Sequence, residues 1–164
     1  MNSFADMTSD EFGAKYLIKF PEQVTTNCTG SQPSTSNLPD EVDWSSKGAV
    51  TPIKNQGQCG SASAFATVDS VASYSIIETG KLVMPSIDEY VDCCLNGSCN
   101  GGFFGVFGYQ CIAKLGGLAC DYIPNANRTC LSKEFEPCVM IDGGSQVMPA
   151  GDEKALAAAL LFYE

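Results

Sequence analysis

Two hydroxyls flank an alanine in Ser61-Ala62-Ser63, directly after the tight turn Gln56-Gly57-Gln58-Cys59-Gly60. A side chain at the start of a helix gains nucleophilicity from the helix dipole, but a serine there needs a general base to take its proton. The 164-residue sequence contains no histidine, which removes the commonest general base and the commonest nitrogen ligand for metals together. A serine hydrolase built on Ser61 or Ser63 is therefore disfavoured.

The nine cysteines, at 28, 59, 93, 94, 99, 111, 120, 130 and 138, include no C-x-x-C pair. Without that spacing and without histidine they argue against zinc and for a disulfide framework formed in an oxidising compartment. No metal and no cofactor is expected. An odd count leaves at least one thiol free or paired between chains. Three N-x-[ST] sequons, at Asn27, Asn96 and Asn127, fit passage through the secretory pathway, to the outside or to a lysosome- or vacuole-like compartment.

A formal charge of -10 offers no basic stripe, so nucleic acid is not an expected partner. The longest apolar run, Ala155 to Phe162, is too short to cross a bilayer, and no signal-peptide pattern opens the chain; a leader upstream of Met1 is the expectation. Hydrophobic content of 45% is enough for one compact core.

The elements that must position these residues are legible in outline. Residues 1–20 read as an amphipathic helix start, with a capping box from Thr8 to Glu11 and Phe12, Tyr16, Leu17 and Phe20 at helical spacing. Residues 21–37 read as an exposed linker, giving way to the main domain near Leu38. Residues 42–53 are expected to be short, turn-broken and mostly extended. A long helix then starts with Ser61 as cap, buries Phe65, Val68, Ala72 and Ile76, and ends at Gly80 in a left-handed cap.

A shorter helix begins at Pro85 with a capping box from Ser86 to Glu89 and runs to Asp92-Cys93-Cys94. The bend Cys99-Asn100-Gly101-Gly102 opens a third helical stretch, from Phe103 to Ile112, that stops at Gly116-Gly117. Two or three short extended pieces follow between 118 and 149, and residues 152–162 form a last helix.

Asn55-Gln56-Gly57-Gln58-Cys59-Gly60-Ser61-Ala62-Ser63-Ala64-Phe65 resembles the nucleophile signature of the papain and cathepsin L family of cysteine peptidases, Q-G-x-C-G-S-C-W-A-F. Leu38 to Trp44, Gly48 to Pro52, Thr79 to Leu82, Val91-Asp92-Cys93 and Cys99 to Gly102 follow in family order. Asn2 to Phe12 is similar to the N-x-F-A-D-x-T-x-E-E-F end of the family's inhibitory propeptide. Ser86-Ile87-Asp88 departs from the family's S-E-Q.

The resemblance implies an α+β papain-like fold represented mainly by its helical left lobe, with the β-barrel right lobe largely missing. Residues 1–20 are then a propeptide remnant, 21–37 a linker, and 38–164 the helical lobe with the start of the second. It places Ala62 at the nucleophile position, Ser63 at the usual tryptophan and Gln56 at the oxyanion-hole glutamine, while Gly60, Gly101 and Gly102 are substrate-binding remnants. Phe103 and Phe104 either line the adjoining apolar pocket or belong to the core. Cys59 is expected to pair with Cys99, and Cys93 with Cys130; Cys28, Cys94, Cys111, Cys120 and Cys138 remain open.

With neither sulfur nor imidazole at the site, the expected function is a non-catalytic binding or assembly module. The alternative is a fragment, or a nucleophile-replaced form, of an active endopeptidase. A lone helical lobe would expose its inner apolar face, so the expectation is that a protein or peptide partner covers that face, or that the C-terminal helix folds over it.

Overall fold

The computed structural model describes residues 4–16, 30–31, 34–102, 105–144, 146–147 and 151–161. Helices dominate: α1 Ser9–Tyr16, α2 Ala62–Thr79, α3 Ile87–Cys94, α4 Val106–Leu115 and α5 Glu153–Leu161. Among the described residues the sheet is confined to two pairs. Strands β1 (Gly30–Ser31) and β4 (Gln146–Val147) run parallel, and β2 (Leu118–Ala119) and β3 (Pro137–Val139) run antiparallel. No barrel closes among them.

The core forms where α2, α3 and α4 meet, around Ala64, Val68, Val71, Tyr90, Val91, Ile112 and Leu118. The buried stripe of α2 is Ala64, Val68, Val71 and Ala72, and the expected Phe65 and Ile76 are only half-buried. Close approach of small residues decides this. A Cβ on Gly108 of α4 would lie 2.8 Å from Thr67 Cγ2 and 2.6 Å from the Tyr90 hydroxyl, so α2 turns its slim face inward. It ends at Gly80, whose φ of 68° lets its N–H reach the Ile76 carbonyl at 2.8 Å.

The two capping boxes differ. At α1, Glu11 N–H donates to Thr8 Oγ1 at 3.2 Å, and Thr8 N–H donates to Glu11 Oε2 at 2.8 Å. At α3, Ser86 Oγ accepts from Glu89 N–H at 3.1 Å, but the Glu89 carboxylate does not return. It accepts instead from Ala119 N–H at 2.6 Å, while Ser86 N–H donates to the Ala119 carbonyl. A tertiary partner has taken the place of the local one, and it ties α3 to β2.

Residues 42–53 are turn-broken as expected, with Gly48 N–H donating to Ser45 O and Ala49 N–H to Trp44 O, and no strand forms among them. Other expectations shift. α4 starts at Val106 behind Gly105, whose φ is 68°, rather than at Phe103. Inside the presumed linker, Gly30 and Ser31 pair with β4, because an extended backbone beside an open strand edge satisfies its polar groups there. Asn27, Cys28, Leu17, Phe20, Phe103 and Phe104 lie outside the described residues.

Four disulfides staple the fold: Cys59–Cys99, Cys93–Cys130, Cys94–Cys111 and Cys120–Cys138. The third joins the end of α3 to α4, and the fourth joins the segments of β2 and β3. No described helix is long and apolar enough to cross a membrane.

Candidate active-site region

The start of α2 is placed by the Cys59–Cys99 bond and by a parallel bridge between Gly60 and Asn100, in which Gly60 N–H donates to Cys99 O at 2.8 Å. A Cβ on Gly60 would stand 2.5 Å from that carbonyl oxygen, so only glycine fits. Ala62 opens the helix and is half-buried.

One carbonyl organises the turn. The Cys59 oxygen accepts from Ser61 N–H at 2.8 Å, from Ser61 Oγ at 3.3 Å and from Gln56 Nε2 at 2.8 Å. The expected Ser61 side-chain cap is absent, since the buried hydroxyl turns back to this carbonyl instead of to α2. Gln56 is exposed, and one of its amide hydrogens holds the loop.

Ser63 is fully buried and its hydroxyl has no hydrogen-bond partner among the described residues. It lies beneath the glycine bend: a Cβ on Gly102 would come within 2.7 Å of Ser63 Oγ and 2.3 Å of Leu95 Cδ2. Gly102 therefore packs directly on the Leu95 side chain and the Ser63 hydroxyl, and a larger residue there would have to displace them. Gly101, with φ of 98°, needs glycine for its backbone. No described base is hydrogen-bonded to Ser61 or Ser63.

Beside this turn opens a groove of about 640 Å³, floored by Phe65 and Val91 and flanked by Met84, Ile87, Lys54 and Arg128. Lys54 is held by Asp69 and donates to Thr51 Oγ1. Arg128 donates to Asp88 Oδ1 at 2.8 Å, and its Nε lies 2.6 Å from Asp92 Oδ1 as an ion pair without hydrogen-bond alignment. Tyr122 donates to Asp92 Oδ2 at 2.9 Å. Burial pushes the Glu89 carboxyl and the Tyr122 hydroxyl above their ordinary pKa values.

Sequence reasoning missed Arg128, because nothing in its spacing from Asp88 and Asp92 shows that they meet. The Cys93–Cys130 bond, two residues away, brings it there. Among the described residues no cluster of His, Cys, Asp or Glu is arranged to hold a metal ion.

The profile of the papain family cysteine proteases matches residues 38–163. The chain belongs to the papain family. Its relatives include the oryzain beta chain of Oryza sativa subsp. japonica, 39% identical over 98% of this chain and 36% of that protein. Vignain of Ricinus communis is 40% identical over 98% of this chain and 48% of its own length. This papain-family chain thus spans roughly a third to a half of the length of these curated relatives.

Among solved structures, a recombinant stem bromelain precursor superposes with a TM-score of 0.75 at 29% identity, covering 97% of this chain and 52% of that one. The proform of the ragweed pollen allergen Amb a 11, a cysteine protease, superposes with a TM-score of 0.75 at 34% identity, over 96% and 48%. The papain-like fold, rich in helix and poor in sheet, follows from these superpositions.

Proposed function

We propose that this papain-family chain is a non-catalytic homologue that works as a binding or assembly module. The observation that carries the reading is Ala62, the first residue of α2, at the position matching the family nucleophile. A methyl group has no lone pair to attack a carbonyl. The neighbouring hydroxyls offer no substitute: Ser61 is buried and turned to Cys59 O, and Ser63 is sealed under Gly102. The sequence contains no histidine to activate either one. In proteases of comparable logic, loss of one member of the nucleophile–base pair already removes most of the rate.

The test is turnover of a fluorogenic peptide by the purified chain, together with mass spectrometry after an epoxide-type cysteine-protease inhibitor. Neither turnover nor an adduct is expected. Ala62→Cys should restore alkylation, since a thiol at a helix start ionises readily, but no turnover. Peptide cleavage by the unaltered chain would overturn the reading.

Exposed Leu156 and Leu160 on α5, with exposed Met140 and Ile53, supply apolar surface for a protein or peptide partner. Part of the C-terminal helix packs inward: Ala155 and Ala158 are buried, and Trp44 Nε1 donates to Leu160 O at 2.8 Å. Four disulfides support passage through an oxidising secretory route, to the outside or to a lysosome- or vacuole-like compartment.

The limited span against its relatives favours a second reading, a segment of a longer cysteine peptidase. A longer product could supply the imidazole but not the sulfur missing at 62. Transcript sequencing past Glu164 distinguishes the two.

A further inference from the structure

The two described sequons, Asn96-Gly97-Ser98 and Asn127-Arg128-Thr129, are 31 positions apart in the chain yet meet in space. A Cβ placed on Gly97 would lie 2.6 Å from the Arg128 carbonyl oxygen and 2.7 Å from Arg128 Cβ. The middle residues of the two motifs are therefore in direct backbone contact. Both asparagines are exposed.

Each asparagine also has a plainer explanation to set beside modification. Asn96 follows α3 with φ of 53°, and asparagine tolerates this left-handed position better than most residues. Ser98 has a local role as well, since its Oγ accepts from Asn100 N–H at 3.1 Å. At the other turn the structural work is done by a different residue: Asn125 Oδ1 accepts from Asn127 N–H and Thr129 N–H, and Asn125 Nδ2 donates to Thr129 Oγ1 at 2.7 Å. Asn127 is left projecting from a turn that it does not hold together. Arg128 fastens the same turn to Asp88 and Asp92, and the Cys93–Cys130 bond fastens it to α3.

We infer that Asn96 and Asn127 both carry N-linked oligosaccharides, which stand side by side on one edge of the chain. The inference rests on the secretory-route reading above. The donor is a lipid diphosphate-linked oligosaccharide: a bond forms between the sugar C1 and asparagine Nδ2, the C1–O bond to phosphate breaks, the diphosphate leaves, and the amide proton passes to a base of the transferring enzyme. Arg128 also lines the groove beside the start of α2, so the paired sugars stand at its rim. They hold bulky partners off that edge.

The chain isolated from its own cells is measured by intact mass and peptide mapping before and after peptide-N-glycosidase, with a count of free thiols. Glycans at both Asn96 and Asn127 are the expected result. Asn96→Asp, which keeps the left-handed turn, and Asn127→Gln should each remove one glycan mass, while Ser98→Thr and Thr129→Ser keep it. Oxidised cysteines with one site or both bare would overturn the inference and leave the secretory reading standing. Free thiols throughout, with both sites bare, would overturn both.

Discussion

Two buried polar regions of the chain meet opposite fates. At the α3 end, Asp92, Tyr122, Arg128 and Glu89 are deeply or partly buried, and each has a partner from another segment. At the start of α2, Ser63 is just as deeply buried and its hydroxyl has none among the described residues. Buried polar groups in stable folds are paired, and an orphan calls for a specific cause. In the family signature that residues 55–65 resemble, Ser63 stands at the place of a tryptophan. At the α3 end the buried Asp92 carboxylate is held by a cation and a hydroxyl, although its Oδ1 meets Arg128 without hydrogen-bond alignment, whereas at the start of α2 the Ser63 hydroxyl has no such group among the described residues.

The sharpest way to break this contrast is Arg128→Ala. It would leave Asp92 buried beside Tyr122 without its cation, and removing one partner of a buried pair costs about 3 kcal/mol or more. A large drop in the urea midpoint is expected; an unchanged midpoint would mean that the α3 region is no more closed than the α2 start. Ser63→Ala should act in the opposite direction, stabilising by about 1 kcal/mol because it removes an unsatisfied buried hydroxyl. Destabilisation on the same denaturation curve would reveal a hidden partner and erase the distinction.

The smallest effect is one of slope. Burial, aided by nearby Asp121, raises the Glu89 pKa above 4.5 in the folded chain, against the Ala119 N–H bond that lowers it. A raised folded pKa means that protonated Glu89 favours folding, so stability is fullest below the unfolded value and falls as pH rises through the folded one. Glu89→Gln keeps an acceptor for Ala119 N–H and cannot ionise. Its stability relative to the parent should therefore improve as pH is raised from 4 to 8, and parallel pH curves would show that Glu89 is not held in the raised state.

Much of the helical lobe was legible because its signals are local. The Thr8–Glu11 box, the left-handed Gly80 and the glycine stop after α4 are set by residues within a turn of each other. What went astray was decided at a distance. Glu89 left its capping box for Ala119, 30 residues on. The inward face of α2 turned on the absence of a side chain at Gly108, which no periodicity in α2 itself could reveal.

The candidate site divides the same way. Identity at 62, the lack of histidine and the glycines at 60, 101 and 102 are properties of the chain as written. Burial of Ser63, the convergence of three donors on one carbonyl and the meeting of two sequons required the folded molecule.

Composition and motif order by themselves determined the family, the alanine at 62 and the helix stops at Gly80 and Gly116, because each depends on residue type or on spacing within a few positions. Only the tertiary structure decided which polar groups found partners, how Cys94, Cys111, Cys120 and Cys138 paired, and which surface the sequons share. The disulfides among them span 17 and 18 residues, where chain sequence sets what can pair but packing alone sets what does.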